Sequence, residues 1–267
     1  MRILFLGDIV GRAGRDAVTE GLPDLRTRHA IDFVVVNAEN ASHGFGLTPD
    51  QARALLAAGA DVLTLGNHAF DRREIIPFLE SDRRVIHPLN YPPGTPGAGS
   101  VVVTARSGAQ VLVVNVMTRL FMEMLDCPFR ATAAELAKYR LGGTLGAIIV
   151  DLHGEASSEK QAFGHSFDGQ VSAVIGTHTH VPTADARILP GGTAYQTDAG
   201  MCGDYDSVIG MAKETATLRF WRKLPGERLA PAEGPATLCG LIIDTDEHTG
   251  LARSVQPLVV GGVLAAK

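Results

Sequence analysis

The 267-residue chain is poor in cysteine: Cys127, Cys202 and Cys239 stand far apart and form no C-x-x-C pair. That excludes a disulfide framework and a thiolate zinc knuckle, and it predicts a reduced, cytoplasmic protein. Positive charge is also short, with 24 Lys and Arg against 29 Asp and Glu, so neither a general nucleic-acid surface nor an anionic-membrane surface is expected. No apolar run approaches the roughly 18 residues of a membrane span. Met1–Asp8, MRILFLGD, is apolar, but an aspartate closes it and no small-residue cleavage site follows, so it reads as a strand rather than a signal peptide. Repeats, low-complexity tracts and Ser/Gly/Pro linkers are missing too. One domain over residues 1–267 is predicted.

What is present begins with apolar content of 45%, enough for a large core. Ile3–Leu6, Phe33–Val36 and Val62–Leu65 are compact apolar runs of the kind buried on both faces of a parallel sheet. Helical patterns separate them over Arg12–His29 and Ala52–Ala58, the second opened by a capping Thr48 and by Pro49. After a loop with four prolines and three glycines (His87–Ser100), Val101–Thr104 and Val111–Val116 read as a hairpin, and Thr132–Tyr139 as a helix. Ala147–Val150 and Val171–Ile175 are further buried strands, the latter released into a turn by Gly176 and Thr177. Ala184–Leu189, Thr193–Gln196, Thr217–Phe220, Thr237–Asp244 and Arg253–Val259 predict short antiparallel strands.

Polar residues gather where these strands end. Asp8, Glu39 and Asn67 follow the first three and are 31 and 28 residues apart, close to the length of a strand-helix-strand unit. Each of the three strands therefore delivers a polar cluster to the same sheet edge, where open α/β sheets hold their ligands. His153 follows a later strand, and His178 and His180 form a His-x-His loop after the next. Carboxylate, amide and imidazole donors without thiolate suit five- or six-coordinate Mn, Fe or Zn.

The run of motifs G-D-I-V-G (7–11), N-A-E-N (37–40), G-N-H (66–68), D-L-H (151–153) and G-T-H-T-H (176–180) resembles the calcineurin-like metallophosphoesterase superfamily, in particular its YmdB-type branch. The usual second histidine of the first motif is missing, and the bridging acid is Glu39 followed by Asn40. The resemblance implies a metallophosphoesterase-type α/β/β/α sandwich of mixed sheets with flanking helices, parallel at its start and antiparallel later. It implies one metal held by Asp8, Glu39, Asn40 and His180, and a second held by Glu39, Asn67, His153 and His178, with Glu39 shared. His68 would protonate or stabilise the leaving oxygen. The resemblance further implies a phosphodiesterase for small phosphodiesters, with 2′,3′-cyclic nucleotides, which RNA breakdown yields, as first candidate.

Physical chemistry agrees. Two divalent ions against the carboxylates of Asp8 and Glu39 leave about +2, which attracts a phosphate to an acidic chain. Ions roughly 3.5–4 Å apart can share a water and bring its pKa towards about 7, so that hydroxide attacks phosphorus in line. The amide of Asn40 in place of an imidazole favours Mn or Fe over Zn. Phosphomonoesterase or nucleotidase chemistry is the near alternative. The missing histidine keeps open a regulatory or scaffolding protein that binds metal with little turnover. An RNA nuclease or protein phosphatase is disfavoured, because neither a basic groove nor a run of stacking aromatics is visible.

Weaker signals surround these. Asp71 either orients the His68 imidazole or caps a helix over Arg72–Leu79. Arg12 and Arg15 either grip phosphate or lie solvated. His43, Gly44 and the Tyr195–Gly203 stretch could wall the pocket, Asp198 fits turn chemistry, and Cys202 reads as a packed residue. His29, His87, His165 and His248 read as surface or packing residues. The subunits could form a homo-oligomer.

Overall fold

The computed structural model describes residues 1–222 and 227–264. Its first strand, β1 (Arg2–Leu6), sends Leu4 and Leu6 to one core and Ile3 and Phe5 to another. That is the consequence of a period of two in an apolar run buried on both faces. Beyond Gly7 the chain continues as β2 (Asp8–Ile9) and then α1 (Gly11–Arg28). β3 (Phe33–Asn37), α2 (Pro49–Ala58) and β4 (Val62–Thr64) repeat the unit. The expected cap opens α2: Thr48 Oγ1 accepts from Gln51 N at 3.4 Å and Gln51 Oε1 from Thr48 N at 3.1 Å.

A 3-10 turn (Arg73–Ile75) leads to α3 (Ile76–Ser81) and β5 (Val85–Ile86). Then come β6 (Ser100–Thr104), β7 (Gln110–Met117), α4 (Pro128–Leu136), β8 (Ala147–His153), α5 (Ser157–Ser166) and β9 (Ala173–Thr177). The chain closes with β10 (Arg187–Ile188), β11 (Ala194–Gln196), β12 (Met201–Asp204), α6 (Lys213–Arg222), β13 (Ala236–Thr245) and β14 (Ala252–Val260). One sheet runs β2-β12-β13-β1-β3-β4-β5, with β14 also paired to β13; the other runs β10-β11-β9-β8-β7-β6.

Three cores separate four layers, the α/β/β/α sandwich expected. Val18, Leu22 and Leu55 of α1 and α2 cover the outer face of the first sheet. Phe5, Phe33 and Val35 meet Val113, Ile149 and Ile175 between the sheets. Leu136 of α4 and Phe163 of α5 close the second sheet over Val114, Val150 and Val174. Among the described residues no helix is long and apolar enough to cross a membrane.

Four expectations need correction. The second sheet is not antiparallel: β7, β8, β9 and β11 are mutually parallel and only its outer strands β6 and β10 pair antiparallel. The reason is that α4 and α5 act as crossovers and return the chain in the same direction. Thr217–Phe220 is helical, inside α6; its threonine and aromatic residues suit a strand only where a sheet offers a surface, and here Phe220 and Trp221 are exposed. α4 starts at Pro128 and ends at Leu136, earlier than the predicted Thr132–Tyr139, because a proline serves as its first residue. β9 begins at Ala173 and includes Gly176 and Thr177, so the sharp turn falls on His178, whose φ is 100°.

Candidate metal centre

The ends of strands from both sheets meet at one place. Asp8 lies in β2; Glu39 and Asn40 follow β3, Asn67 and His68 follow β4, His153 ends β8, and His178 and His180 follow β9. Glu39 stands in the middle: its Oε1 is 3.0 Å from Asn40 Nδ2 and 3.0 Å from His153 Nε2. Around His153, Asn67 Oδ1 is 3.0 Å and His178 Nδ1 3.1 Å from Nε2. On the other side of Glu39, His180 Nε2 lies 3.1 Å from Asn40 Nδ2 and 3.9 Å from Asp8 Oδ1. All seven residues expected as ligands therefore converge on one cluster. Glu39, His153 and His178 offer donor atoms within 4.8 Å of one another.

The approach is tight enough to require glycine. A Cβ on Gly66 would sit 2.3 Å from Glu39 Oε2 and 2.4 Å from His153 Nε2. Both histidines of the His-x-His loop have left-handed backbones, with φ of 100° at His178 and 66° at His180. Such residues cost of order 1–3 kcal/mol and persist where the surroundings hold them. Here the hold is electrostatic and buried: Lys160 donates to Thr177 O at 2.7 Å and to Asp198 Oδ2 at 3.0 Å, and Asp198 Oδ2 also accepts from Thr179 N at 3.0 Å. Asp198 does make the expected turn contact, accepting from Gly200 N at 2.9 Å, but its main task is this ion pair. Lys160 carried no signal of its own in the sequence.

Each imidazole is oriented through the nitrogen that faces away from the cluster. Thr177 Oγ1 donates to Asp151 Oδ1 at 2.6 Å, which leaves it to accept from His153 Nδ1 at 2.9 Å. His180 Nδ1 donates to Ile209 O at 2.7 Å, and His178 Nε2 faces Glu155 Oε2 at 3.4 Å. In His178 and His180 the inward nitrogen therefore keeps its lone pair, as in carboxylate-histidine-metal arrangements. Asp151 also accepts from Asn37 Nδ2 at 3.0 Å and Thr64 Oγ1 at 2.5 Å, tying the two sheets beneath the site. Sequence reading missed Asn37, Thr64, Asp151, Thr177 and Glu155; an aspartate within the apolar run I-I-V-D-L-H was the one visible signal.

Burial sets the electrostatics. It pushes the Asp8 carboxyl up to about 7 against the pull of His180 and His153. Burial also opposes ionisation of Glu39, but His153 beside it more than offsets this and holds the carboxyl at about 2. In return Glu39 overcomes the burial of His153 and raises that imidazole to about 9. His178, half-buried and facing His153, is held down to about 3 by desolvation and by His153, and stays neutral.

The donor set fits divalent cations on an observation of its own. Asp8 Oδ1 and Asn40 Oδ1 are buried oxygens without a hydrogen-bond partner among the described residues. Buried acceptors left without a partner cost free energy, and oxygen next to imidazole is what Mn, Fe or Zn would take.

A cavity of about 280 Å³ opens on this cluster, lined by Gly44, Phe45, His68, His178, His180 and Met211 among others. His68 Nδ1 pairs with Asp71 Oδ2 at 2.9 Å, and the ring meets Phe45 edge-on with centroids 5.0 Å apart. Asp71 thus orients the imidazole and caps no helix; the residue at the cap position is Arg72. Arg12 and Arg15 lie away from the cavity: Arg12 pairs with Glu233 at 2.8 Å in solvent, and Arg15 donates to Ala41 O at 2.5 Å. Gly44 walls the cavity as expected and His43 faces the neighbouring one. The Tyr195–Gly203 stretch is buried and does not line the cavity, contrary to expectation, and Cys202 is packed in the core. His87 is buried against Phe70 and Tyr91. The neighbouring cavity, about 750 Å³, is lined by Arg72, Arg219 and Arg228, so a basic cleft invisible in the sequence does exist.

An α/β/β/α sandwich with carboxylate, amide and imidazole donors gathered at its strand ends has the architecture of the metallophosphoesterases. Within that class the chain belongs to the YmdB-like protein family, whose model matches residues 4–258. It is 46% identical over 266 residues, 97% of each chain, to the 2′,3′-cyclic-nucleotide 2′-phosphodiesterase of Bacillus subtilis (strain 168). A crystal structure of a hypothetical protein from Thermus thermophilus superposes with a TM-score of 0.91 at 43% identity, covering 98% of this chain and 100% of that one. A structure titled as a novel phosphatase from Mycoplasma pneumoniae superposes with a TM-score of 0.90 at 32% identity, covering 98% and 93%.

Proposed function

We propose that the protein is a phosphodiesterase that works with two divalent cations on small phosphodiesters, 2′,3′-cyclic nucleotides first among them. The observation that carries this reading is the pair of buried, unpartnered oxygens, Asp8 Oδ1 and Asn40 Oδ1, beside an inward-facing His180 nitrogen. Asp8, Glu39, Asn40 and His180 would hold one cation, and Glu39, Asn67, His153 and His178 the other. When bound, such a pair supplies a hydroxide nucleophile at neutral pH and neutralises charge on the phosphate oxygens. Asn40 now points its Nδ2 at Glu39 and His180; turning the amide end for end would exchange that donor for its acceptor oxygen. His68, held by Asp71, is a proton source for the leaving oxygen from the cavity wall, and Phe45 restricts its ring. Hydrolysis of 2′,3′-cyclic nucleotides is the activity in the name of the Bacillus relative, and a match over nearly the whole of both chains supports carrying it over.

Mn or Fe is favoured over Zn because oxygen donors outweigh nitrogen in the first set of ligands. Three free cysteines, two of them buried, favour a reduced cytoplasmic location. The test uses metal-stripped protein resupplied separately with Mn, Fe(II) or Zn, alongside metal counting, on bis-p-nitrophenyl phosphate, p-nitrophenyl phosphate and 2′,3′-cyclic AMP. Two metals per chain and diester turnover well above monoester turnover are expected. Two metals without turnover would instead establish a binding or scaffolding role, and a monoester preference a phosphomonoesterase.

A further inference from the structure

The larger cavity has no role in the chemistry just described, yet it adjoins that site. Phe45 and Leu229 line both cavities, and Asp71, the partner of His68, lines the larger one. On a chain of net charge −5 it gathers three guanidiniums, those of Arg219 and Arg228 and, from far away in sequence, that of Arg72. Among the described residues none of the three is in an ion pair. The single carboxylate in the lining, Asp71, is already bonded to His68. Arg72 is also fixed: its Nε donates to Phe45 O at 3.2 Å and its Nη2 to Ser42 O at 3.1 Å. A fixed guanidinium with two more beside it, none neutralised by a carboxylate, suits phosphate recognition, and Phe45 with Leu229 adds an apolar surface suited to a base or ribose.

We infer that this cleft is a second phosphate subsite, and that the preferred substrate carries another phosphate besides the scissile cyclic diester. The inference rests on the phosphodiesterase reading. Two sources share that chemistry: a 5′-phosphate on the same nucleoside, or the internucleotide linkage of an oligoribonucleotide ending in a 2′,3′-cyclic phosphate.

The experiment compares adenosine 2′,3′-cyclic phosphate, its 5′-phosphorylated form and the dinucleotide ApA with a 2′,3′-cyclic end, using the full chain supplied with Mn²⁺. At least one extended substrate should show a kcat/KM about tenfold or more above the plain nucleotide, carried by KM and weakened by salt. Arg219→Ala and Arg228→Ala should each remove most of that ratio; both side chains are exposed, and unchanged melting temperatures would show that the fold survives. Whichever extended substrate is preferred identifies the source. Equal kcat/KM for all three in the unmodified protein would overturn the subsite and leave the phosphodiesterase reading standing. If none is turned over, that reading falls, and equilibrium binding of the same ligands to the metal-free chain decides the subsite alone: about tenfold tighter binding of an extended ligand, lost in the arginine variants, upholds it, and equal binding overturns it.

Discussion

Glu39 is the residue through which the two halves of the cluster touch, since one of its oxygens faces both Asn40 and His153. Glu39→Ala is therefore expected to lose both cations, and metal content near two per chain in that variant would refute the shared assignment. His68 touches the cluster only through its backbone N–H, which donates to Glu39 Oε2 at 3.2 Å. Its side chain is free to serve the substrate. His68→Ala should keep both metals and lose hydrolysis by about 10²–10⁴-fold, the usual size of a general-acid contribution. An ordinary rate would remove the role. These residues were legible in the sequence because ligand chemistry is a matter of residue type and spacing. Asn37, Thr177 and Asp151 were not, because what matters there is which side chain each polar atom meets across two sheets.

At the scale of elements, strand ends and loops do the positioning. The turn after β4 must carry Gly66, whose missing side chain lets Glu39 and His153 approach. Gly66→Ala is expected to fold with its strands intact but to bind metal at least about tenfold more weakly, the scale of losses when ligand orientation is disturbed. Metal titration by calorimetry checks this, and unchanged affinity would show that the loop yields. The loop after β9 depends on the buried Lys160–Asp198 pair. Lys160→Met leaves a buried carboxylate unpaired and should cost about 3–5 kcal/mol in denaturant unfolding, partly restored in the double variant with Asp198→Asn. A loss below about 1 kcal/mol would mean the pair has little to do with holding the loop. Three βα units were readable from the 31- and 28-residue spacing, whereas α6 was not. Thr217 and Phe220 favour strand locally, but Lys213, Glu214, Ala216, Leu218, Arg219 and Arg222 around them favour helix, and no sheet surface is offered to the strand alternative.

For the whole molecule, both sheets contribute residues to the proposed ligand set, so bound cations would tie the two halves of the sandwich together. Chelation should lower the melting temperature of the metal-loaded protein. Saturation at a thousand times Kd contributes about 4 kcal/mol per site, or roughly 8–16 °C for a chain of this size. Identical melting curves with and without chelator would show that the cluster does not hold metal. The amino-acid sequence by itself determined the layered α/β class, the first sheet's parallel strands and the identity of the polar cluster, because burial on both faces and donor chemistry are written locally. It did not decide the parallel course of the second sheet, the buried supports under each imidazole or the arginine cleft. Arg72, Arg219 and Arg228 become one surface only when Arg219 of α6 and Arg228 come to lie beside the loop that follows β4. Charges far apart in sequence act together only at distances of a few ångströms, and those distances are set by tertiary packing.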